Sequence, residues 1–172
     1  MVADIVFDGG HEFRHAAKRI SPQTVHCQVA EEDYAGFGRL RKAIRSTRIV
    51  TGEHEYGRYG FRQLLEHQAA EIWQPGAQWC GGLTELRKIA ALAAAYDIPV
   101  IPHAGGLSPE SVAFTMATTN APWCELFLPP PGGPKEVHQR FEERMRITRG
   151  PEGIYIEPPE VPGVGWETAF LQ

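Results

Sequence analysis

Acid, imidazole, acid: Glu53-His54-Glu55 follows directly on a β-branched run, Arg48-Ile49-Val50-Thr51, and a turn glycine, Gly52. A carboxylate is a hard oxygen ligand, and an imidazole exchanges its proton near neutral pH. A buried parallel strand that ends this way delivers ligands to the mouth of an α/β barrel. The arrangement recurs as Ile98-Pro99-Val100-Ile101-Pro102-His103, followed by Ala104-Gly105-Gly106. Two strand ends, each with a histidine beside a glycine turn, predict one shared catalytic face. Glu53, His54 or His103 alone would pass for an exposed loop residue; it is their matching positions that point to a site.

Such a face needs strands and crossovers to hold it. The chain alternates short β-rich runs with helix-period segments, the signature of a parallel sheet with helical connections. Strands are expected at residues 2–7, 24–27, 48–51, 71–74, 98–101 and 124–128. Between them, apolar residues at helical spacing mark Phe13 to Ile20, then Phe37, Leu40 and Ile44, then Phe61, Leu64 and Leu65. Leu86, Ile89, Ala90 and Ala93 mark the longest helix. Ser108-Pro109-Glu110 opens another, with a capping serine, proline at the first helical position and an acid in the first turn. The result is six β-α steps, whereas a closed eightfold barrel takes about 250 residues. If the fold is a barrel, its N-terminal third is missing. A doubly wound sheet fits the alternation too, but its glycine-rich phosphate loop is absent.

From Pro129 the composition shifts. Pro129-Pro130-Pro131-Gly132-Gly133-Pro134 is a rigid turn, residues 135–146 a charged helical excursion, and 150–172 too rich in proline and glycine for long regular elements. The expected division is an incomplete (β/α) barrel over 1–128 and an extension over 129–172 that packs on it. A net charge of −4 leaves no basic footprint for nucleic acid or a membrane surface. No apolar run approaches the roughly 18 residues of a membrane span, and Met1-Val2-Ala3-Asp4 is no signal peptide. Cys27, Cys80 and Cys124 are odd in number and widely spaced, so reduced thiols in a cytoplasmic protein are expected.

Two segments resemble a known family. Thr51-Gly52-Glu53-His54-Glu55-Tyr56-Gly57-Arg58-Tyr59-Gly60-Phe61-Arg62 and Trp79-Cys80-Gly81-Gly82-Leu83-Thr84-Glu85-Leu86 are similar to the enolase superfamily. Within it they are nearest the mandelate-racemase-type acid-sugar dehydratases, the L-rhamnonate dehydratases above all. Ile101-Pro102-His103 and Pro162-Gly163-Val164-Gly165 fit the same pattern. The resemblance implies a capping domain over a modified (β/α) barrel and a magnesium-dependent dehydration of a sugar acid to a 2-keto-3-deoxy acid. It places Glu53 at the third metal-ligand position with His54 beside it, His103 at the catalytic base, and Glu125 at the acid that polarises or holds the substrate. Asp4 stands for the first metal ligand, with Asp8 as the competing choice.

Two positions depart from the family pattern. Where it has Glu-Glu-Pro, this chain has His26-Cys27-Gln28; where it has the aspartate that orients the base, this chain has Gly76. The expectations that follow are a weakened hold on magnesium and an imidazole at position 103 without its orienting partner. His26 and Cys27 beside Glu53 could instead suit a softer metal such as zinc. Two functions therefore stay open: a dehydratase weak or inactive as an isolated chain, or a non-catalytic, diverged remnant. A small-molecule sugar acid is the expected ligand, and a second copy or another chain completing the barrel the expected partner, since open strand edges favour self-association.

Overall fold

The computed structural model describes residues 24–26, 33–45, 48–126, 147–150, 153–156 and 163. The expected strand over 2–7, the helix over 13–20, Asp4, Asp8, Cys27 and the excursion over 135–146 lie outside the described residues.

Three strands, β1 (Thr24–His26), β2 (Arg48–Thr51) and β3 (Ile72–Trp73), pair side by side in chain order, all parallel. Val25 stands opposite Ile49, and Val50 opposite Ile72. The ladder runs on into residues 98–101: the Trp73 amide donates to the Pro99 carbonyl (3.0 Å), and Ile101 donates back to Trp73 (2.9 Å). Only Trp73 and Val100 form a bridge there, so the expected fourth strand is cut to a single pair. Its prolines are the cause. Pro99 and Pro102 have no N–H to give, and the Val100 amide turns away to the Asn120 carbonyl (2.8 Å). Nor does residue 124–126, the described part of the last expected strand, pair regularly. The turn beside it offers one donor, Gly106, whose N–H meets the Glu125 carbonyl at 2.7 Å. Among the described strands the order never reverses, as it would at the switch point of a doubly wound sheet.

The helices lie where the apolar spacing puts them. They are α1 (Tyr34–Ala43), α2 (Gly57–Glu66), α3 (Gly82–Ala94) and α4 (Pro109–Ala117). Asp33 caps α1 through the Gly36 amide (2.7 Å), and Ser108 caps α4 through Ser111 (3.2 Å). Phe37, Phe61, Leu64, Leu86, Ile89 and Ala93 bury their faces against Ile49, Trp73 and Val100 of the sheet. The opposite sheet face is also buried, with Val50, Ile72 and Ile101 packed together under Trp123. Burial on both faces explains why these strands read as continuous apolar runs with no polar alternation. Beyond the array, β4 (Ile147–Gly150) and β5 (Gly153–Ile156) form an antiparallel hairpin. Its Ile156 packs on Val112, Cys124 and Leu126.

Candidate active site

The site begins with what each strand does once its ladder ends. After β2, Gly52 turns at φ +118°, a conformation that L side chains rarely adopt, and a Cβ there would press on the Phe61 ring at 2.7 Å. Glycine is therefore required for the chain to fold back over α2 and present Glu53. The loop after β3 runs alongside. The Trp79 indole N–H donates to the His54 carbonyl (2.9 Å), and its ring meets the imidazole edge-on at 5.7 Å. Glu85 of α3 binds both the amide and the guanidinium of Arg58 at the start of α2. Its carboxyl is held below its ordinary value, chiefly by the Arg58 amide, against the opposing pull of desolvation. These contacts lock the loops after β2 and β3 together.

Glu53, His103 and Glu125 converge on one point. His103 Nδ1 lies 3.3 Å from Glu53 Oε2 and 3.0 Å from Glu125 Oε2. Both are ion-pair contacts. His54 stands at the edge of the group, its Nδ1 4.0 Å from Glu53 Oε1, with a side chain 45% exposed against 28% for His103. The Glu125 side chain is fully buried. The turn after β2, the segment after the Val100 bridge and the segment over 124–126 thus bring these three side chains together. Carboxylate oxygens of Glu125 and Glu53 stand within ion-pair distance of His103 Nδ1, while Gly76 contributes only its place in the turn beneath Trp79.

Glu125 itself is held from two sides. Gln74, at the end of β3 and fully buried, donates from Nε2 to Oε1 (3.1 Å), and the Ala104 amide donates to Oε2 (2.6 Å). Ala104 has φ +49°, left-handed for a residue with a Cβ, and such strain persists only where the surroundings enforce it. Sequence reasoning missed Gln74, Ala104 and Trp79. The one available signal was an amide, Gln74, ending an otherwise apolar strand. Glu110, the expected first-turn acid of α4, is buried and accepts from Gln78 (3.0 Å).

Metal chemistry finds less support. Magnesium demands octahedral oxygen ligands. Near His103 the carboxylates are Glu53, which already faces two imidazoles, and Glu125, whose oxygens are taken by amides. Among the described residues no group of three His, Cys, Asp or Glu is placed to hold a metal ion, and Asp4 and Cys27 lie outside them. Glu53 and its described neighbours by themselves do not fit the ion. Beside the site, an open cleft of about 450 Å³ is lined by Tyr34, His54, Glu55, Tyr56, Tyr59 and Arg62.

Residues 27–169 match the family model described as enolase C-terminal domain-like. An L-rhamnonate dehydratase of Saccharopolyspora erythraea is 40% identical over 152 residues, which is 88% of this chain and 38% of that protein. The crystal structure of a rhamnonate dehydratase from Gibberella zeae complexed with magnesium superposes with a TM-score of 0.59 at 42% identity. It covers 69% of this chain and 29% of its own. A mandelate racemase/muconate lactonizing enzyme-like protein from Roseovarius sp. TM1035 gives a TM-score of 0.68 at 29% identity, over 88% of this chain and 37% of that one. The chain thus spans well under half the length of the relatives it matches.

Proposed function

We propose a function from one premise: the chain belongs to the enolase C-terminal domain-like family. It carries the C-terminal, proton-transfer portion of an acid-sugar dehydratase of the L-rhamnonate dehydratase type. The fold is then a part of a (β/α) barrel, with the 129–172 extension packed on it; the seating of Ile156 on Leu126 supports that division. The substrate class is a small sugar acid, and the product a 2-keto-3-deoxy acid.

The observation that carries this reading is the meeting of Glu53, His103 and Glu125 at the ends of adjacent chain segments. The proton α to a carboxylate is hardly acidic, so its removal needs a base held against the carbon. An imidazole whose Nδ1 faces carboxylates keeps its basic lone pair on Nε2 when neutral. His103 takes the proton at that atom. His54, more exposed and in reach of Glu53, is the second candidate for proton transfer. Glu53 and Asp4 are the residues that by family resemblance would hold a cation like the magnesium of the Gibberella zeae enzyme, which would act as a Lewis acid on the substrate carboxylate. Because His26-Cys27-Gln28 stands where the family has Glu-Glu-Pro, the chain alone is expected to bind magnesium poorly and to turn over at trace rates. A second copy or another chain would complete the barrel and its substrate pocket, in the cytoplasm.

A panel of sugar acids including L-rhamnonate, assayed with magnesium for 2-keto-3-deoxy product, tests this. Trace turnover that disappears in His103→Asn is the expected result. Turnover at ordinary enzyme rates by the chain alone would overturn the claim that its site is incomplete. A second reading, a non-catalytic remnant, is favoured by His26-Cys27-Gln28 and Gly76 at positions where the family carries carboxylates. No product from the wild-type chain, alone or mixed with the complementary part of a relative, would establish it.

A further inference from the structure

We propose that Gln74 is a positioning residue for His103, acting through Glu125, which rests on the reading of His103 as the proton-transfer group. Gln74 ends β3 with its side chain wholly out of solvent, where an amide with nothing to bond would be costly. Its Nε2 donates to Glu125 Oε1 at 3.1 Å, across 51 residues of chain. The other oxygen, Oε2, accepts from the Ala104 amide at 2.6 Å and lies 3.0 Å from His103 Nδ1. A carboxylate clamped by one donor on each oxygen cannot turn about its terminal bond. Oε2 therefore stays at a fixed place within ion-pair distance of the ring, where its charge favours a neutral His103 that carries its proton on Nδ1.

Both clamps cost the fold something. Ala104 adopts a left-handed conformation at φ +49° as its N–H reaches Oε2, and Gln74 places an amide wholly out of solvent. A residue kept only for packing would not need an amide there. Without the Gln74 amide, Oε1 loses its donor and the carboxylate hinges on Ala104 alone. Oε2 can then swing from Nδ1, and the ring is free to hold its proton on Nε2, which removes the basic lone pair from the atom assigned to catalysis.

The test is ring-nitrogen NMR on the full chain labelled with 15N, at alkaline pH where neutral imidazoles reveal which nitrogen is protonated. His103 is assigned by its absence in His103→Asn, and His54, half exposed, serves as reference within the same spectrum. The wild-type His103 should show the Nδ1–H form. Gln74→Met, which keeps length and burial but has no donor, should lose that form and drift toward the balance seen at His54. Glu125→Gln should retain it, because the new amide oxygen accepts from Ala104 and His103 while Gln74 turns its own amide over. Glu125→Leu should lose it, and supplies the same test if Gln74→Met does not fold. An unchanged His103 tautomer in the folded Gln74→Met or Glu125→Leu chain overturns the proposal, as does an Nε2–H form in the wild type. A failed dehydration assay leaves these spectra untouched, so the two readings fall separately.

Discussion

Glu125 and Glu53 flank one imidazole, and the chain holds them by opposite means. Glu125 is wholly buried, with an amide donor on each oxygen, in a segment that packs on Cys124, Leu126 and the hairpin's Ile156. Glu53 hangs from a glycine turn. Its neighbours His54 and Tyr56 are exposed, and Tyr56, Tyr59 and Trp79 carry their rings into solvent, the first at 75%. One side of the site is finished by the chain itself; the other ends in aromatic surface beside an open cleft. The lesson is that side chains meeting at one point need not be held alike: one carboxylate is fixed by the interior, the other by a turn at the surface.

The contrast breaks first at its buried side. Glu125→Ala should destabilise the chain by about 3 kcal/mol, because it strands the Gln74 and Ala104 donors in a dry interior. His54→Ala should cost no more than about 0.5 kcal/mol. Thermal unfolding would separate them by roughly 5–10 °C for a chain of this size; equal shifts would erase the distinction. Gly52→Ala comes next, at about 1–3 kcal/mol, from its positive φ and the Phe61 ring in its way. It should also weaken the exposed half without touching the His103–Glu125 contact, as chemical shifts at His54 and His103 would show.

Cys80 locates where the exposed half ends. One residue after the exposed Trp79, its thiol is fully buried, and burial pushes its pKa from the ordinary 9.0 up to about 11. Between those values the unfolded chain gives up the proton first, so stability falls as pH rises through that window. At about pH 10 the loss amounts to about 1 kcal/mol. Cys80→Ser should flatten this alkaline decline in urea titrations; an unaltered slope would mean that the thiol is not buried in solution. Smallest of all, Trp79→Ala should cost less than about 1 kcal/mol, since its bond to His54 is made at the surface. A larger loss would show that the aromatic rim is structural.

Much of this was written in local patterns. Leu86, Ile89, Ala90 and Ala93 are all buried, as their spacing requires, and Ser108 caps α4 as its type predicts. Glu53, His103 and Glu125 could be found because each follows an apolar run at a turn. The strand over 98–101 was misjudged because its apolar content was weighed without its donors: Pro99 and Pro102 leave too few N–H groups for a ladder. Gln74 and Ala104 were illegible for a different reason. Their partner, Glu125, is brought to them only by tertiary folding, and nothing local to either residue records it.

Gly106 carries a consequence for how often the site opens. Its amide is bonded to the Glu125 carbonyl at 2.7 Å, and a Cβ added there would meet Ile156 Cδ1 at 2.7 Å and the Glu125 carbonyl at 3.0 Å. Its hydrogen can exchange with deuterium only when the Glu125 segment, the hairpin and the turn part company. The exchange rate of this one proton is therefore a clock for local opening, separate from global unfolding. A slow clock would mean that the buried half waits fully assembled; a fast one, that it forms and dissolves many times before any substrate arrives.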